Sequence, residues 1–464
     1  MSHYHLMGIG GVGMSALASI LLKDGQQVSG CDLAPSPLAY RLESDGATIL
    51  RGHDAEHLED VDTLVLTTAI LPDHPEIVAA REKGVRVIRR IELLGEILAK
   101  GTSLGVTGTH GKTTTSSMLA SIFMAAGTDP TILLGGEVAD LGGNARYGSG
   151  KFRIAEIDES DPLFQHLKLD VAVITNLEAD HVSTPGEDRP NYHASYEALQ
   201  KAARTFAKNA RALVYNAEWP LLCSLTEGLS RTGFGIERGE ARAVNLELFP
   251  AGSRFDFSWH DEILGTVELK VVGRHNVQNA LAASAAALLQ GIPFEAAQAA
   301  LSKFRGAHRR FEKVGEVKGA WVVDDYAHHP TEVRETLLAA RNSGRRVRVV
   351  FQPHRYLRTL QLWPEFAEAL KLADETIVLE VYSAGEEAIQ GVTGAKIAEK
   401  LLAEGSRARF AEPGEAVDYL EQTLKPDDLI LTMGAGDVWR VGTQLVKRYQ
   451  DTLSRSAIPR LEPR

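Results

Sequence analysis

Short apolar runs alternate with amphipathic stretches along most of the chain, and turns that contain glycine separate them. In the first hundred residues, apolar runs typical of strands occur at 4–10, 26–33, 62–70 and 85–90, with helical patterns between them. Strands that alternate with helices are typical of a parallel sheet covered by helices. We therefore predict a parallel α/β sheet in this part of the chain.

The same alternation occurs twice more. The second part begins near residue 102 and has several strand patterns, a β-rich stretch over 243–272 and two helical patterns before residue 304. The third part has five strand patterns, at 320–325, 346–353, 375–382, 407–411 and 428–434. This arrangement predicts three α/β domains, the last of them built on another open parallel sheet.

Composition narrows the function classes. A formal net charge of −11 over 464 residues argues against nucleic acid as a partner, because phosphate backbones are bound by clustered Lys and Arg. Cys31 and Cys223 are too few for a disulfide framework, which favours the reducing cytoplasm. The N-terminus does not resemble a signal peptide, and the most apolar run, 280–289, is too short for a membrane span. We expect a cytoplasmic monomer or homodimer without membrane partners.

A glycine turn follows the first strand. Gly8, Gly10 and Gly13 form the dinucleotide-binding fingerprint, and Asp32 lies nineteen positions after Gly13. Such a turn lets backbone amides at a helix N-terminus approach a pyrophosphate. With only about a hundred residues available, a nucleotide diphosphate such as a UDP-sugar fits at least as well as NAD. The predicted contacts are Gly10, Gly11, Val12, Gly13 and Asp32.

A second loop, "GTHGKTTT", lies between a strand and a helix. It departs from the strict P-loop pattern because Val106 occupies the position five before Gly111. Its amides are still expected to face phosphates, with Lys112 reaching the β and γ oxygens and the Thr113 hydroxyl on Mg²⁺. The predicted triphosphate contacts are Gly108, Thr109, His110, Gly111, Lys112, Thr113 and Thr114.

Acidic clusters end the next two strand patterns and offer metal ligands near this loop. They are Glu156, Asp158, Glu159 and Asp161, then Glu178, Asp180 and His181. The chain has no Asn-Lys-x-Asp guanine reader, which disfavours a GTPase. An NAD-dependent oxidoreductase and a non-catalytic nucleotide sensor remain alternatives. The first would leave the Lys112 loop unused, and the second would leave the acidic clusters unexplained.

Nine motifs occur in the order found in the Mur ligases, and the chain resembles that family from about Tyr4 to Trp439. They are "GIGGVGMSALA", "GTHGKTTT", "AEIDESD", "TNLEADH", "GRHNVQNALAA", "FRGAHRRFE", "VDDYAHHPTEV", "FQPHRY" and "GAGDVW". The resemblance implies a Rossmann-like UDP-binding domain over 1–99, a central P-loop ATPase-like domain with an added β-rich part over 100–308, and a Rossmann-like domain over 309–464.

The resemblance also implies the reaction. Mur ligases use ATP to add amino acids to the peptidoglycan precursor, and the first glycine turn is similar to that of the alanine-adding branch. The expected substrates are therefore UDP-N-acetylmuramate and L-alanine, joined through an acyl phosphate with ATP and Mg²⁺. The alternative is a recycling ligase that adds a tripeptide to the same carboxylate.

Roles in the central domain are carried over by the resemblance. Lys112 is expected to hold the γ-phosphate, Thr113 and Glu156 to hold Mg²⁺, and His181 to serve a second metal. The segment after His181 departs from the family pattern, which leaves the surroundings of that metal less defined. The residues expected to meet the adenine and ribose of ATP are His275, Asn276 and Asn279.

Roles in the third domain follow in the same way. Arg310 is expected to contact the triphosphate, and Asp325 to act with the nucleotide and with domain closure. His328, His354 and Arg355 resemble the end of the site that receives the muramoyl carboxylate and the amino acid. His328 is the predicted base for the amine. Because water would destroy an acyl phosphate, we expect this domain to close over the second.

Two features of this domain have simpler interpretations. His329 precedes Pro330 and is expected to cap the helix that begins there. The run Arg345, Arg346 and Arg348 is expected to be a solvated entry to a strand rather than a binding patch.

Overall fold

The computed structural model describes residues 1–67, 70–71, 73–138, 142–180, 182 and 192–456. These residues form two compact units, one with residues 1–246, 254–269 and 276–307, the other with 247–253, 270–275 and 308–464. Among the described residues, no helix combines the length and apolar composition that crossing a membrane requires.

The first sheet has five parallel strands in the order β3-β2-β1-β4-β5, which confirms the predicted parallel sheet. Its strands are β1 His3–Met7, β2 Gln27–Asp32, β3 Thr48–Arg51, β4 Thr63–Leu66 and β5 Arg86–Arg89. Its helices are α1 Val12–Lys23, α2 Pro37–Ser44, α3 Pro75–Glu82 and α4 Arg90–Leu98, with a 3₁₀ helix at Ala55–Leu58. The prediction missed β3, a short edge strand without a fully buried residue.

Alternate residues of β1 enter different cores. Leu6 packs with Leu17 of α1, whereas Met7 packs on the other face with Ile77 of α3. Because β1 is the middle strand of the sheet, both of its faces are covered. The turn that follows β1 therefore begins from a rigid position at the carboxyl edge of the sheet.

The second sheet has ten strands in the order β15-β14-β13-β12-β11-β10-β6-β9-β7-β8. They are β6 Thr102–Thr107, β7 Thr131–Val138, β8 Gly143–Arg146, β9 Phe152–Glu156, β10 Val171–Ile174, β11 Ala212–Asn216, β12 Arg231–Gly235, β13 Ala241–Phe249, β14 Gly252–Trp259 and β15 Glu262–Leu269. The last three strands form the predicted β-rich stretch. The central strands β6, β9, β10 and β11 are parallel, so their carboxyl ends share one edge.

Five helices accompany this sheet, and a 3₁₀ helix lies at Pro162–His166. The helices are α5 Lys112–Ala125, α6 Tyr196–Asn209, α7 Pro220–Leu225, α8 Arg274–Leu288 and α9 Phe294–Leu301. The helix predicted from about residue 192 begins at Tyr196 because Ser195 caps it, with its side chain accepting from the Ala198 N–H.

The third sheet has six strands in the order β16-β17-β21-β18-β19-β20. They are β16 Glu312–Val317, β17 Ala320–Asp325, β18 Arg346–Phe351, β19 Glu375–Val378, β20 Ala408–Phe410 and β21 Asp428–Met433. Its helices are α10 Pro330–Arg341, α11 Tyr356–Leu370, α12 Gly394–Ala403, α13 Pro413–Thr423 and α14 Trp439–Ser456. All five predicted strands are present. These five strands pair parallel, as predicted. The largely polar edge strand β16, which was not predicted, pairs antiparallel with β17.

The prediction of a solvated strand entry at the start of β18 was wrong for Arg348. Arg348 is buried, with Nε 2.9 Å from Glu375 and one terminal nitrogen 3.0 Å from Asp428. Arg346 pairs with the same two acids, and Arg345 lies over the Trp321 ring. Arg348 is therefore the centre of a buried ion network, which the partly exposed Arg346 joins, and not part of a solvated strand entry.

The three sheets lie within residues 3–89, 102–269 and 312–433. The domain boundaries at 99/100 and 308/309 stay predictions. At the carboxyl edges of the sheets, short turns carry most of the residues that the motifs singled out.

Candidate active site

The loop between β6 and α5 depends on two glycines. Gly108 and Gly111 have φ angles of 131° and 80°, in the region that favours glycine. A Cβ on Gly111 would lie 2.6 Å from Oδ1 of Asn279, and one on Gly108 would collide with the Thr175 side chain. Neither position accommodates a side chain, so no side chain at these two positions separates the backbone of the loop from a ligand.

The carboxyl end of β10 supports this loop through side chains. The His110 N–H donates to Asn176 Oδ1 at 2.8 Å, and the Thr175 hydroxyl donates to the His110 carbonyl at 2.6 Å. The Glu178 N–H donates to the Thr109 hydroxyl, and the Glu178 carboxylate lies 3.1 Å from His110 Nε2. Several polar contacts thus fix the loop conformation before any nucleotide binds.

Lys112 begins α5 and its amine bends back over the loop. Nζ donates to the carbonyls of Gly108 and Thr109 at 2.6 and 3.1 Å, and it lies 2.9 Å from Glu159 Oε2. Burial alone would lower the pKa of Lys112, but the carboxylates of Glu159, Asp158 and Glu156 outweigh it and raise the pKa above its usual range. The amine is therefore a permanent cation at the phosphate loop.

Glu156 and Thr113 each lie against a glycine of β7. The Gly135 N–H donates to Glu156 Oε2 at 2.9 Å, and a Cβ on Gly135 would overlap that carboxylate. A Cβ on Gly136 would lie 3.3 Å from the Thr113 methyl group. The carboxylate of Glu156 and the hydroxyl of Thr113 are oxygen ligands of the kind that fit Mg²⁺, a hard cation.

The other acids of "AEIDESD" have other partners. Asp158 lies 2.9 Å from an Arg90 nitrogen, and Asp161 lies 3.3 Å from Arg89. Asp161 also caps the 3₁₀ helix at Pro162–His166. These two acids therefore join the first sheet to the second. His181, the predicted ligand of a second metal, lies outside the described residues.

Asn276 and Asn279 lie in the first two turns of α8, next to the loop. The Thr115 hydroxyl of α5 donates to Asn279 Oδ1 at 3.1 Å, and Asn279 Nδ2 donates to Asn276 Oδ1 at 3.2 Å. Asn279 thus supports the phosphate loop directly, in addition to its expected place near the nucleoside. Burial and the Arg310 charge lower the pKa of His275 to about 4, so its ring is neutral at pH 7.

The turn after β1 has the geometry of the fingerprint. The Gly10 N–H donates to Asp32 Oδ2 at 3.1 Å, and the Ser36 hydroxyl donates to the Gly10 carbonyl at 2.7 Å. Gly11 is the N-cap of α1, and a Cβ on Gly13 would collide with the Arg90 guanidinium. A cation therefore lies against the turn predicted to bind a pyrophosphate.

The predictions missed Arg90 and the role of Glu159. Arg90 contacts Asp158, 68 positions away, and Glu159 contacts Lys112, 47 positions away, so neither pairing has a local sequence signal. The fold creates the first contact by bringing the carboxyl edges of the first and second sheets together, and the second by pairing β6 with β9, so that their carboxyl ends lie side by side. These two residues add charge beside the two turns that are predicted to bind phosphates.

Arginines 309 and 310, in the other unit, differ in function. Arg309 donates to Asp324 at 2.7 Å and to the carbonyls of Gly434 and Gly436, so it holds the strand ends together. Arg310 is 30% exposed, lies 3.7 Å from Glu332 and faces the Tyr326 ring. Of the pair, Arg310 is the one whose guanidinium remains accessible.

Asp325 organises the turn that ends β17. Its carboxylate accepts from the N–H groups of Phe311 and Ala327, both at 2.8 Å, and from the Thr336 hydroxyl at 3.2 Å. Burial raises the pKa of Asp325 to about 6, although Arg310 and these N–H groups oppose the shift. Asp325 is thus a buried positioning group for the loop that carries His328.

His328, His354 and Arg355 lie close together in this unit. The rings of His328 and His354 are 5.8 Å apart, and His354 stacks on Tyr382. His328 Nδ1 lies 3.0 Å from the Tyr326 carbonyl, and Arg355, with φ 70°, lies 3.7 Å from Glu386. The structure therefore brings together the three residues expected to receive the carboxylate and the amine.

His329 has the simpler role predicted for it. It is the N-cap of α10, and its side chain accepts from the Thr331 N–H at 3.4 Å. Pro330 occupies the first helical position, where a missing N–H costs nothing. The capping prediction is confirmed.

Three family models match consecutive parts of the chain. They are described as "Mur ligase family, catalytic domain" over residues 3–102, "Mur ligase middle domain" over 106–287 and "Mur ligase, glutamate ligase domain" over 309–436. Together they account for most of the 464 residues. The chain belongs to the Mur ligase family.

Individual relatives of this Mur ligase agree with that assignment. The UDP-N-acetylmuramate–L-alanine ligase of Deinococcus radiodurans is 44% identical over 96% of this chain and 93% of the relative. The crystal structure of the UDP-N-acetylmuramate-alanine ligase MurC from Thermotoga maritima superposes with a TM-score of 0.81 and 32% identity, covering 97% of this chain and 100% of the other. A murein peptide ligase from Psychrobacter arcticus gives a TM-score of 0.68 and 25% identity, over 96% and 98%.

Proposed function

We propose that this chain is an ATP-dependent ligase that joins L-alanine to the carboxylate of UDP-N-acetylmuramate, the first peptide-stem step of peptidoglycan precursor synthesis. The observation that carries the proposal is the phosphate loop, in which Lys112 is held as a buried cation among three acids. The 44% identity to an L-alanine ligase over nearly the whole chain supports the choice of substrates.

Residues 108–114 form the proposed ATP-binding loop. The amides of the loop and the Lys112 amine surround the β and γ phosphates, and the amine exchanges its carbonyl contacts for phosphate oxygens. His275, Asn276 and Asn279 hold the nucleoside, and Arg310 neutralises the triphosphate. Mg²⁺ at Thr113 and Glu156, with His181 for a second ion, would supply further neutralisation of the phosphate charge.

The first glycine turn is the proposed binding site of UDP-N-acetylmuramate. The turn of Gly10, Gly11, Val12 and Gly13 at the start of α1 receives the pyrophosphate, and Asp32 holds this turn through the Gly10 N–H. Arg90 lies against the same turn and adds a positive charge. His354 and Arg355 are the proposed polar contacts of the muramoyl carboxylate.

The chemistry proceeds in two steps. A carboxylate oxygen attacks the γ-phosphorus and ADP leaves, which gives an acyl phosphate. The alanine amine then attacks the acyl carbon, the carbon–oxygen bond to phosphate breaks, and an amide remains. Lys112 and Arg310 neutralise the repulsion between the carboxylate and the γ-phosphate.

His328 is the proposed acceptor of the proton from the amine. Its Nδ1 lies 3.0 Å from the Tyr326 carbonyl, and a carbonyl oxygen only accepts, so Nδ1 carries the proton of the neutral ring. Nε2 then carries the lone pair that a general base requires. Asp325 keeps the loop of His328 in place through its backbone contacts.

The alternative is a recycling ligase that adds a tripeptide to the same carboxylate. It shares the fold, since the murein peptide ligase superposes over 96% of this chain. The lower TM-score and identity of that structure favour the alanine ligase. A cytoplasmic location, and a monomeric or homodimeric state, stay predictions.

Phosphate release from ATP and Mg²⁺ tests the proposal. We expect release only when UDP-N-acetylmuramate and L-alanine are both present, with background rates when either is omitted. Release that requires the tripeptide instead would assign the recycling reaction. Release independent of either cosubstrate would overturn a ligase function.

A further inference from the structure

A group of metal-binding side chains lies in the first domain, on the face of the first sheet that carries α3. His5 of β1, Cys31 of β2, His57 of the 3₁₀ helix and Glu76 of α3 each place one ligand atom within 4.8 Å of the other three. None of these residues has a part in the reaction proposed above. The catalytic Mg²⁺ ligands belong to the second sheet.

The distances within the group match those of a four-coordinate site. Glu76 Oε1 lies 3.6 Å from His5 Nε2, 3.2 Å from His57 Nδ1 and 3.6 Å from Cys31 Sγ. Tetrahedral ligands at the usual Zn–N, Zn–O and Zn–S bond lengths lie about 3.3–3.8 Å from one another. Glu76 Oε1 is thus already at the separations that a zinc ion would impose, and all four atoms lie within 4.8 Å of one another.

The burial and hydrogen bonding of these side chains also support a metal site. His5, Cys31 and Glu76 are at most 1% exposed. Within the part of the chain that the structure describes, His5 Nε2 has no hydrogen-bond partner, although it points at the Glu76 carboxylate. A buried nitrogen of this kind costs free energy in a core, and a metal ion would recover that cost.

The surroundings orient the ligands as in metalloproteins. His5 Nδ1 lies 2.8 Å from the Ser29 hydroxyl, which also contacts His3, so the ring is fixed with Nε2 towards the group. His53 Nδ1 lies 3.1 Å from Cys31 Sγ and 3.3 Å from Glu76 Oε2. In metalloproteins the second ring nitrogen of a metal-binding histidine is usually held by a hydrogen bond, as Ser29 holds Nδ1 of His5. Outer contacts such as these, and those of His53, set metal affinity.

We propose that His5, Cys31, His57 and Glu76 bind one divalent ion of the zinc class, separate from the Mg²⁺ of the reaction. Two imidazoles, a thiolate and a carboxylate form a donor set typical of Zn²⁺ and unsuited to Mg²⁺. On binding, the thiol gives its proton to solvent and the sulfur becomes a thiolate ligand. The ion would link β1, β2, α3 and the 3₁₀ helix beside the first glycine turn.

Metal binding to the purified full-length protein tests this proposal. After removal of metal with a chelator, equilibrium dialysis against Zn²⁺ is expected to give one ion per chain that excess Mg²⁺ does not displace. With Co²⁺ as the probe, we expect the visible bands of a tetrahedral ion and a thiolate charge-transfer band in the near ultraviolet. The Cys31→Ser protein should lose that band, and the Cys223→Ser control should keep it.

The His57→Gln variant tests the site with least disturbance of the fold, since this side chain is 15% exposed. We expect a loss of Zn²⁺ affinity of more than about 100-fold, because losing a ligand costs more than losing an outer contact. His57→Cys should restore binding and strengthen the charge-transfer band, whereas the exposed control His166→Gln should match wild type. Equal zinc binding in wild type and His57→Gln, or no binding by wild type, would overturn the proposal.

Discussion

At the scale of single residues, Lys112 contributes both to the stability of the fold and to the proposed reaction. Its amine is the partner of the buried Glu159 carboxylate and the cation of the phosphate loop. We expect Lys112→Ala to lower the rate of phosphate release by at least about 100-fold, as for loss of a charged transition-state contact. It should also lower the free energy of unfolding by about 3 kcal/mol, because a buried carboxylate loses its cation.

Steady-state kinetics and urea unfolding measure the two effects of Lys112→Ala separately. Lys168→Ala is the control, since Lys168 is exposed in the same domain. Near-normal phosphate release by Lys112→Ala would contradict the mechanism even if the protein were destabilised.

Asp325 makes a pH-dependent contribution to stability. Its pKa is about 6 in the folded chain, against about 3.9 when unfolded, so between these values the folded state binds more protons. Stability from this group is therefore present below about pH 4 and lost as the pH rises through about 6, by roughly 3 kcal/mol. Asp325→Asn should remove that component.

Urea unfolding of wild type and Asp325→Asn at several pH values between about 4 and 8 measures this component as a difference between the two proteins. Asp418→Asn, at an exposed acid of α13, is the control. A constant difference between wild type and Asp325→Asn across this range would show that Asp325 does not titrate there.

Residues with a local signal lie where the sequence predicts them, and some residues with distant partners do not. Lys112 begins α5 after a glycine turn and His329 caps α10 before a proline, so adjacent residues indicate their positions. Arg348 looks solvated in a run of arginines, yet its partners Glu375 and Asp428 come from other elements. Sequence patterns record burial by apolar periodicity, and a buried ion pair does not have that signature.

At the scale of elements, α5 depends on the conformation of Gly111. Its φ of 80° strains any other residue, and a Cβ would also displace Asn279 of α8. Gly127, after the end of α5, has φ 69° and open space around its Cβ position. Comparing alanine substitutions at the two glycines therefore distinguishes the cost of backbone strain from the cost of steric displacement.

We expect Gly127→Ala to cost about 1 kcal/mol, from strain alone. Gly111→Ala should cost more and also lower ATP affinity by more than about tenfold, because the loop amides move from the phosphates. Calorimetric titration with ATP and urea unfolding measure the two effects. Equal ATP affinity in Gly111→Ala and wild type would place the triphosphate elsewhere.

Strand β18 is stabilised by its buried ion network. We expect Arg348→Met to lower the free energy of unfolding by about 3 kcal/mol, because Glu375 and Asp428 stay buried with less positive charge. Arg345→Met, which removes a contact with the Trp321 ring, should cost about 1 kcal/mol. Urea unfolding measures both, and an Arg348→Met protein as stable as wild type would contradict this account.

In the first and third sheets, the buried central strands were predicted, and the edge strands β3 and β16 were not. The central strands of the third sheet, such as β21, are buried along their whole length and are apparent in the sequence. Strands β3 and β16 lie at sheet edges, where one side faces water and the apolar pattern fades. The antiparallel direction of β16 depends on pairing with β17, which apolar patterning does not specify.

At the scale of the whole molecule, the first two sheets belong to one unit. Arg89 and Arg90 join them through Asp161 and Asp158, and Asn144 of the second sheet donates to the Val12 carbonyl at 2.6 Å. The turn predicted to hold UDP and the loop predicted to hold ATP therefore keep a fixed relation. A ligase requires this, since the γ-phosphate must meet the muramoyl carboxylate.

The central claim is that the chain forms an amide between UDP-N-acetylmuramate and L-alanine. The most direct measurement is the mass of the product formed from ATP, Mg²⁺ and UDP-N-acetylmuramate when L-alanine and the tripeptide are offered together in equal amounts. We predict the mass of UDP-N-acetylmuramoyl-L-alanine as the main product, formed in step with phosphate. A tripeptide adduct as the main product, or phosphate released without any amide, would contradict the account.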